Sequence, residues 1–482
     1  MQVTSLQRPI IRSFILTTFV VAAGCSSCSS QATQSDFVAG ELLTIKKNGG
    51  WCWFQGPRAI VDGGRVLVGT VAGDSYAGSR RGDIEVTAFD VKTQKSGTFK
   101  LHKKLQGDDH ASPSIMVLPD GRYLAMYTRH GSDRLMRWRT STRPHDMSEW
   151  EPERTINVGA RVTYSNSFAL SHEPGRVYTF YRAGGNKPHV MIGSASATHF
   201  QPAGQLLKWE LTPELGADPA KITGRSKVAK PYVVYHSGGV DTIHFITTED
   251  HPRGYDNGIH HGFIRGAQVH DSFGRVVDDN LLDQDGAKLV DLTRVFEGDA
   301  EHVAWSTDLK VDERGHPYIV FSVQRDGAPT RRIKQNKDGL DHRYYYGRFD
   351  GEQWHVHEIA HAGTKLYVHE QNYTGLVALD PNDPNTVYIS TNSHPVSGEP
   401  LVSHADGQRH WEIFRGQTSD FGTSWKWTSI TSNSSIDNLR PVIPLWKEHT
   451  FLIWLRGRYH SMGRFHQDVV GLVDPASRLK EL

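Results

Sequence analysis

The sequence predicts an all-β protein, a seven-bladed β-propeller of four-stranded blades. Three observations carry that expectation. No helical periodicity persists after residue 40, and short β-rich runs separated by turn residues recur instead. One unit, an apolar run, a turn and a second apolar run, occurs seven times. The turn centres fall near residues 64, 121, 175, 239, 315, 383 and 448, about one every 64 residues. A further strand pair follows most of these hairpins, as in 135–150, 344–357 and 411–427, which makes four strands per unit. Such units arranged around an axis close on themselves and leave only short edges. The length alone suggests about three domains, but two stacked sandwiches would not space seven hairpins evenly. The repeat exceeds the usual blade of about 40–45 residues, so long loops are expected.

The hairpins can be read in order. Ala59–Val68 turns at Gly63-Gly64, and Ile115–Tyr127 turns at Pro119-Asp120-Gly121. Phe168–Tyr181 turns around Gly175, Tyr232–Thr247 at Gly238-Gly239, and Leu309–Val323 at Gly315. Leu376–Ser390 turns at Asn382-Asp383-Pro384, and Val442–Leu455 near Lys447-Glu448. Thr418-Ser-Asp-Phe-Gly-Thr-Ser-Trp425 fits an Asp-box turn, in which the Asp caps its own turn and the Trp packs between blades.

The N-terminus reads as an address. Arg8 and Arg12 precede an apolar run, Phe14 to Gly24, too short for the roughly 20 helical residues of a membrane span. Val21-Ala-Ala-Gly-Cys25 resembles a bacterial lipobox with Cys25 lipidated. Residues 1–24 are therefore expected to be a lipoprotein signal peptide, 25–40 a flexible tether and 41–482 the catalytic propeller. The protein is expected to be exported, at the outer membrane, on the cell surface or in the periplasm, or otherwise secreted. The lipid anchor would be its only membrane contact, and it is expected to be a monomer. Cys52 is the only thiol left in the folded part, so disulfides do not hold it. With 54 Lys+Arg against 53 Asp+Glu, the net charge of +1 gives no basic excess of the kind nucleic-acid binders carry.

In a propeller, residues just before each first strand and just after each second strand converge on one axial face. Here they include Trp53, Arg58, Asp108-Asp109-His110, Arg129-His130, Tyr164-Ser165-Asn166 and Arg182. The same face collects Lys230-Pro231-Tyr232, His251-Pro252-Arg253, Asp437-Asn438-Leu439-Arg440 and Arg456-Gly457-Arg458. Polar residues gather at strand ends simply because they meet water. Recurring His, Arg and Tyr go further: rings stack on sugars, and Arg holds carboxylate or sulfate with two hydrogen bonds.

Several of these segments resemble a known family. They are Trp51-Cys-Trp-Phe-Gln-Gly-Pro-Arg58, Asp108-Asp-His-Ala-Ser-Pro-Ser114, Tyr127-Thr-Arg-His-Gly131, Tyr164-Ser-Asn166, Lys230-Pro-Tyr-Val-Val-Tyr235, Glu249-Asp-His-Pro-Arg253 and His342-Arg-Tyr-Tyr-Tyr346. The resemblance is to the BNR-repeat propellers that include the ulvan lyases of polysaccharide lyase families 24 and 25. It covers nearly all of the chain after residue 45.

The resemblance implies β-elimination at the uronate of a sulfated algal polysaccharide. That reaction needs a carboxylate neutraliser, a base for the C5 proton and an acid for the leaving O4. Arg182 is the expected neutraliser, with Arg253 behind it. His110 and Tyr164 are the expected pair, with His110 as base and Tyr164 as acid favoured and the reverse order left open. His130, Tyr235, Arg253, Trp53, Arg58 and Asn166 are expected to bind substrate. No cofactor is required. His260 and His261, with His251 and His244 near in sequence, offer donors for a structural zinc or calcium, but no tight ligand spacing occurs among them and they read as polar loop residues. Two rivals remain open. One is a sialidase-like hydrolase casting Arg58, Arg253 and Arg440 as a triad, although the axial face is short of the carboxylates hydrolysis uses. The other is a non-catalytic glycan-binding lipoprotein.

Overall fold

All seven expected hairpins form, each as the inner half of an antiparallel four-stranded blade. The computed structural model describes residues 36–74, 80–223, 228–326, 339–447 and 449–475, and among these there is no α-helix, only short 3-10 turns. Blade 1 runs Ala59–Asp62, Arg65–Val71, Ile84–Asp90, Lys95–His102, and blade 2 runs Ser114–Val117, Tyr123–Tyr127, Leu135–Arg143, Asp146–Trp150. Blade 3 is Thr163–Ala169, Arg176–Ala183, Lys187–Ser194, Phe200–Gln205, and blade 4 is Val233–His236, Ile243–Thr247, Ile259–Arg265, Gln268–Asp271 with Val276–Asp278 beyond. Blade 5 is Val303–Val311, Pro317–Gln324, His342–Phe349, Trp354–Gly363, and blade 6 is Val377–Leu379, Thr386–Thr391, Glu412–Gln417, Lys426–Ser429.

Blade 7 is built from both ends of the chain. Asn438–Val442, Phe451–Ser461 and Arg464–Val473 are completed by Leu43–Lys46, which pairs antiparallel with the last of them. The ring is thereby closed by hydrogen bonds.

The apolar core is distributed rather than central. Inner strands such as Pro317–Gln324 are buried along their whole length, because each blade face meets a neighbouring blade. Outer strands such as Lys95–His102 are mostly exposed. Each interface has its own cluster. Met126, Met136, Trp138, Val177 and Met191 fill the gap between blades 2 and 3, and Phe168, Phe180, Phe245 and Ile264 that between blades 3 and 4. Val66, Val68, Ile453 and Val469 fill the closing gap between blades 7 and 1. The Gly63-Gly64 turn has φ of 56° and 76°, the left-handed pair that a two-residue hairpin demands. The Asp-box turn forms as expected. Asp420 accepts from the Ser424 amide at 3.0 Å and from Thr418 Oγ1 at 2.8 Å, and the Trp425 ring lies 5.3 Å from Tyr346 of blade 5.

One boundary moves. The expected tether of 25–40 is shorter at its end, since Phe37–Val38 pairs with Thr431–Ser432 and the Ala39 amide donates to Ile430 O. The signal peptide, Cys25 and the rest of the tether lie outside the described residues.

The closing strand also carries a buried ion pair. Lys46 Nζ lies 2.5 Å from Glu85 Oε2 of blade 1, with both side chains at most 4% exposed, and Arg80 Nη2 reaches the same oxygen at 2.8 Å. Removing Lys46 leaves the buried Glu85 with Arg80 as its remaining cation, so Lys46→Ala should cost about 1–3 kcal/mol in denaturant unfolding. The paired change Lys46→Met with Glu85→Leu should lose much less.

Candidate active site

Three neighbouring blades bring the site together. His110 sits in the 3-10 turn Asp109–Ala111 that leads into blade 2, and Asp108 caps this turn by accepting from the His110 amide. His130 follows the second strand of the same blade. The two imidazoles stack 4.1 Å apart with planes only 3° from parallel. Tyr164, in the first strand of blade 3, places its ring 5.8 Å from His110 and 6.3 Å from His130. Its backbone is left-handed, φ 65°, inside a register shift between Thr163 and Asn166. A non-glycine residue held there costs of order 1–3 kcal/mol, a strain that clusters at functional sites. Arg182, near the end of the second strand of blade 3, lies 4.7 Å over the Tyr164 ring and 4.9 Å over that of Tyr232.

Asp108 holds both histidines. Its Oδ1 lies 2.8 Å from His110 Nδ1 and its Oδ2 3.0 Å from His130 Nδ1. A carboxylate accepting from both Nδ1 atoms leaves both Nε2 atoms turned away from it. Asp109 lies 2.7 Å from His110 Nδ1 through Oδ1, and its Oδ2 takes Arg440 Nη1 at 2.5 Å and the Tyr459 hydroxyl at 2.8 Å.

These contacts set the charges. Burial opposes ionisation of Asp108, but His110 and His130 hold it well below the usual carboxylate range. Burial also works against a charged His110, yet the Cys52 sulfur and the Asp109 and Asp108 carboxylates raise its pKa well above 6.5. His130 is pushed the other way, by burial and then by the charge on His110. Burial raises Tyr164 well above 10, with Arg182 and His110 pulling against it. Arg182 keeps its charge, with Nε and Nη1 unpartnered and no carboxylate paired to it among the described residues.

Of the other expected site residues, Asn166 and Tyr235 line a small pocket with Tyr164 and Arg182, and the rest lie apart. Trp53 is 4% exposed, wedged between Trp305 at 5.3 Å and Tyr373 at 4.9 Å, so it forms the floor rather than a stacking surface. Asn166 is buried and donates to Phe54 O at 3.1 Å, holding that floor in place. Arg58 donates to Trp53 O at 2.7 Å and Gln55 O at 2.9 Å, and lines an axial cavity of about 450 Å³ opening at the hairpin-turn face, with Asp308, Lys310 and His236. Tyr235 stacks on Phe180 at 4.6 Å, while Tyr232 takes the place under Arg182. Period-two alternation separates the two tyrosines without telling which one faces the axis. Arg253 pairs with Glu370 at 3.0 Å, and Glu370 also lies 3.4 Å from His251, whose ring packs 5.6 Å from Tyr232. Arg58, Arg253 and Arg440 thus engage three different partners and do not form a triad.

The histidines offered as metal donors, and read as polar loop residues, do not converge, and His244, His260 and His261 lie in buried strands instead of loops. His260 pairs with Glu249 at 3.1 Å, His261 with His244 at 3.2 Å, and His251 stands apart on Glu370. Among the described residues, the clusters with metal-ligand spacing are Cys52–Asp109–His110 and Asp108–His110–His130. Asp108, Asp109 and His110 are committed to the hydrogen bonds and ion pairs above.

A family model described as "BNR repeat-containing family member" matches residues 73–362. The chain belongs to the BNR repeat-containing family. Among solved structures, a polysaccharide lyase of family PL25, an ulvan lyase bound to -[GlcA(1-4)Rha3S]-, superposes with a TM-score of 0.63 at 14% identity, over 89% of this chain and 95% of its own. A second PL25 ulvan lyase structure gives 0.63 at 15%, again over 89% and 95%. Polysaccharide lyase Uly1 gives 0.56 at 12%, over 91% and 100%. At these identities the likeness establishes a shared fold. No curated protein sequence matches the chain.

Beside the histidine pair, this BNR-repeat propeller has an open groove of about 600 Å³ between blades 2 and 3, whose lining includes His130, Arg134, Arg161, Thr163, Arg182 and Asn186. His130 faces it with its side chain 24% exposed, while His110 lies beneath at 3%. The solvent-facing imidazole is therefore His130, whereas His110, one of the two residues expected as base or acid, lies buried beneath it. In an NMR titration His110 should titrate above 6.5 and His130 below it. Asp108→Asn should lower both values, because its carboxylate raises each of them.

Proposed function

We propose that this protein is a polysaccharide lyase that cleaves a sulfated, uronate-containing polymer of the ulvan type by β-elimination. The observation that carries the reading is Arg182: a cation without a carboxylate partner among the described residues, held 4.7 Å over the Tyr164 ring beside an imidazole pair. Its planar fork suits a uronate carboxylate, and neutralising that group makes the C5 proton acidic. His130 Nε2, free because Nδ1 is tied to Asp108, takes the C5 proton. The Tyr164 hydroxyl gives its proton to O4. The C4–O4 bond breaks as the C4=C5 double bond forms, leaving an unsaturated uronate and a free hydroxyl on the departing chain. His110, charged and buried below, opposes protonation of His130 and so keeps that imidazole in its neutral, proton-accepting form. The fold shared with polysaccharide lyases supports this reading. We also place the enzyme outside the cytoplasm on a lipid anchor at Cys25, a reading supported by the leader sequence.

Incubation with ulvan and other uronate polymers should produce the ultraviolet absorbance of the unsaturated uronate. Reducing ends without absorbance would mean hydrolysis, and binding without either would mean a lectin-like role. Arg182→Ala should lower kcat/KM by about 10²–10³-fold, and Tyr164→Phe by about 10²–10⁴-fold. A base must be deprotonated, so activity is present above its pKa and lost as pH falls through it. With His130 lowered from 6.5, the acid limb of kcat/KM should lie below pH 6.5.

A further inference from the structure

We propose that the groove between blades 2 and 3 is a subsite for an anionic substituent, a sulfate ester or a second carboxylate, on the sugar next to the uronate that is cleaved. This rests on the lyase reading above and goes beyond it by naming the residues that sense the neighbouring sugar. The groove is lined by Arg134, Arg161 and Arg182 together with His130, and no acidic residue lines it. Arg134 and Arg161 are exposed, and neither guanidinium has an ion pair or hydrogen bond among the described residues. The acid beside them in sequence is already engaged. Asp133 takes Arg137 at 2.5 Å and Arg129 at 3.6 Å, so it leaves Arg134 and Arg161 unneutralised.

The backbone keeps this space open. Gly131, Gly159 and Gly185 have φ of 58°, 84° and 80°, and a Cβ at any of them would meet nothing within 4 Å. The charged groups left along this wall are arginines, whose planar forks match tetrahedral or planar oxyanions with two hydrogen bonds. Because Arg182 and His130 border the same groove, a polymer with its uronate carboxylate on Arg182 extends a neighbouring sugar along it. The contacts are solvent-exposed, so they are screened by salt and act on binding more than on the chemical step.

The test is the double variant Arg134→Gln, Arg161→Gln, with folding checked by thermal melting. Cleavage is measured on a sulfated uronate polymer and on its chemically desulfated form over a range of salt. The expected result on the sulfated polymer is a KM raised about five- to tenfold, a kcat within about twofold, and a shallower salt dependence. If the KM penalty disappears on the desulfated polymer, the groove reads sulfate; if it persists there, it reads a carboxylate. Either outcome upholds the subsite. Unchanged KM and salt dependence on both polymers would overturn it. Binding of a sulfated uronate oligosaccharide by calorimetry, to Tyr164→Phe with and without the two arginine changes, separates this proposal from the lyase reading. If the wild type cleaves nothing, the lyase reading falls. Calorimetry then decides the groove: weaker binding in the triple variant upholds it, and equal or absent binding overturns it.

Discussion

Everything at the axis depends on the closure of the ring. A propeller has as many blade interfaces as blades only if the last blade meets the first, and here that contact is secured by Leu43–Lys46 completing a sheet otherwise made from the C-terminal end. The closing strand also delivers the floor of the site. Directly after it the chain enters the centre, Cys52 donates to Asp109 O, and Gln55 donates from its side chain to His110 O. Trp53 and Phe54 then pack under Tyr164, Tyr232 and Trp305. Sheet pairing at the rim and side-chain placement at the axis are therefore one continuous stretch of chain.

Two adjacent acids illustrate how the site tolerates dense buried charge. Asp109 is locked into a network with Arg440 and Tyr459, both nearly inaccessible, so it acts as fixed scaffolding charge. Asp108 is turned toward the two imidazoles. Each carboxylate has its own cationic or hydrogen-bonding partners, which is the condition for burying like charges side by side. The result is an uneven split of protons between two stacked histidines of the same residue type. Environment, not identity, differentiates them.

The fold was legible in the sequence because hairpins are local. Turn residues such as Gly63-Gly64 and alternating apolar runs announce each inner strand pair, and their spacing announces the ring. The way the ring closes was not legible, since nothing in Leu43–Lys46 marks it as the partner of residues beyond 460. For the site, the convergence of strand starts and strand ends placed His110, His130, Tyr164 and Arg182 on one face, and the structure gathers those four. It was less reliable where one residue more or less turns a side chain around, as with Tyr232 and Tyr235. Trp53 and Arg58 belong to a segment that plugs the axis, and Asn166 holds that segment while lining a small pocket with Tyr164 and Arg182, an arrangement no local sequence signal announces. Arg440 and Tyr459 were offered no role beside Asp109, because more than three hundred residues separate them from it and no local signal links the two.

The closing strand has a consequence for how the molecule is made. Leu43 is among the first folded residues to leave the ribosome, but its partner Gly471 is among the last. The inner hairpins can form as they are synthesised, being local. The ring cannot, because its final sheet has the highest contact order in the chain, and such pairings form slowly. A nascent or truncated chain holds blade faces and the Trp51–Phe54 segment without their final neighbours, which leaves apolar surface open to misassociation.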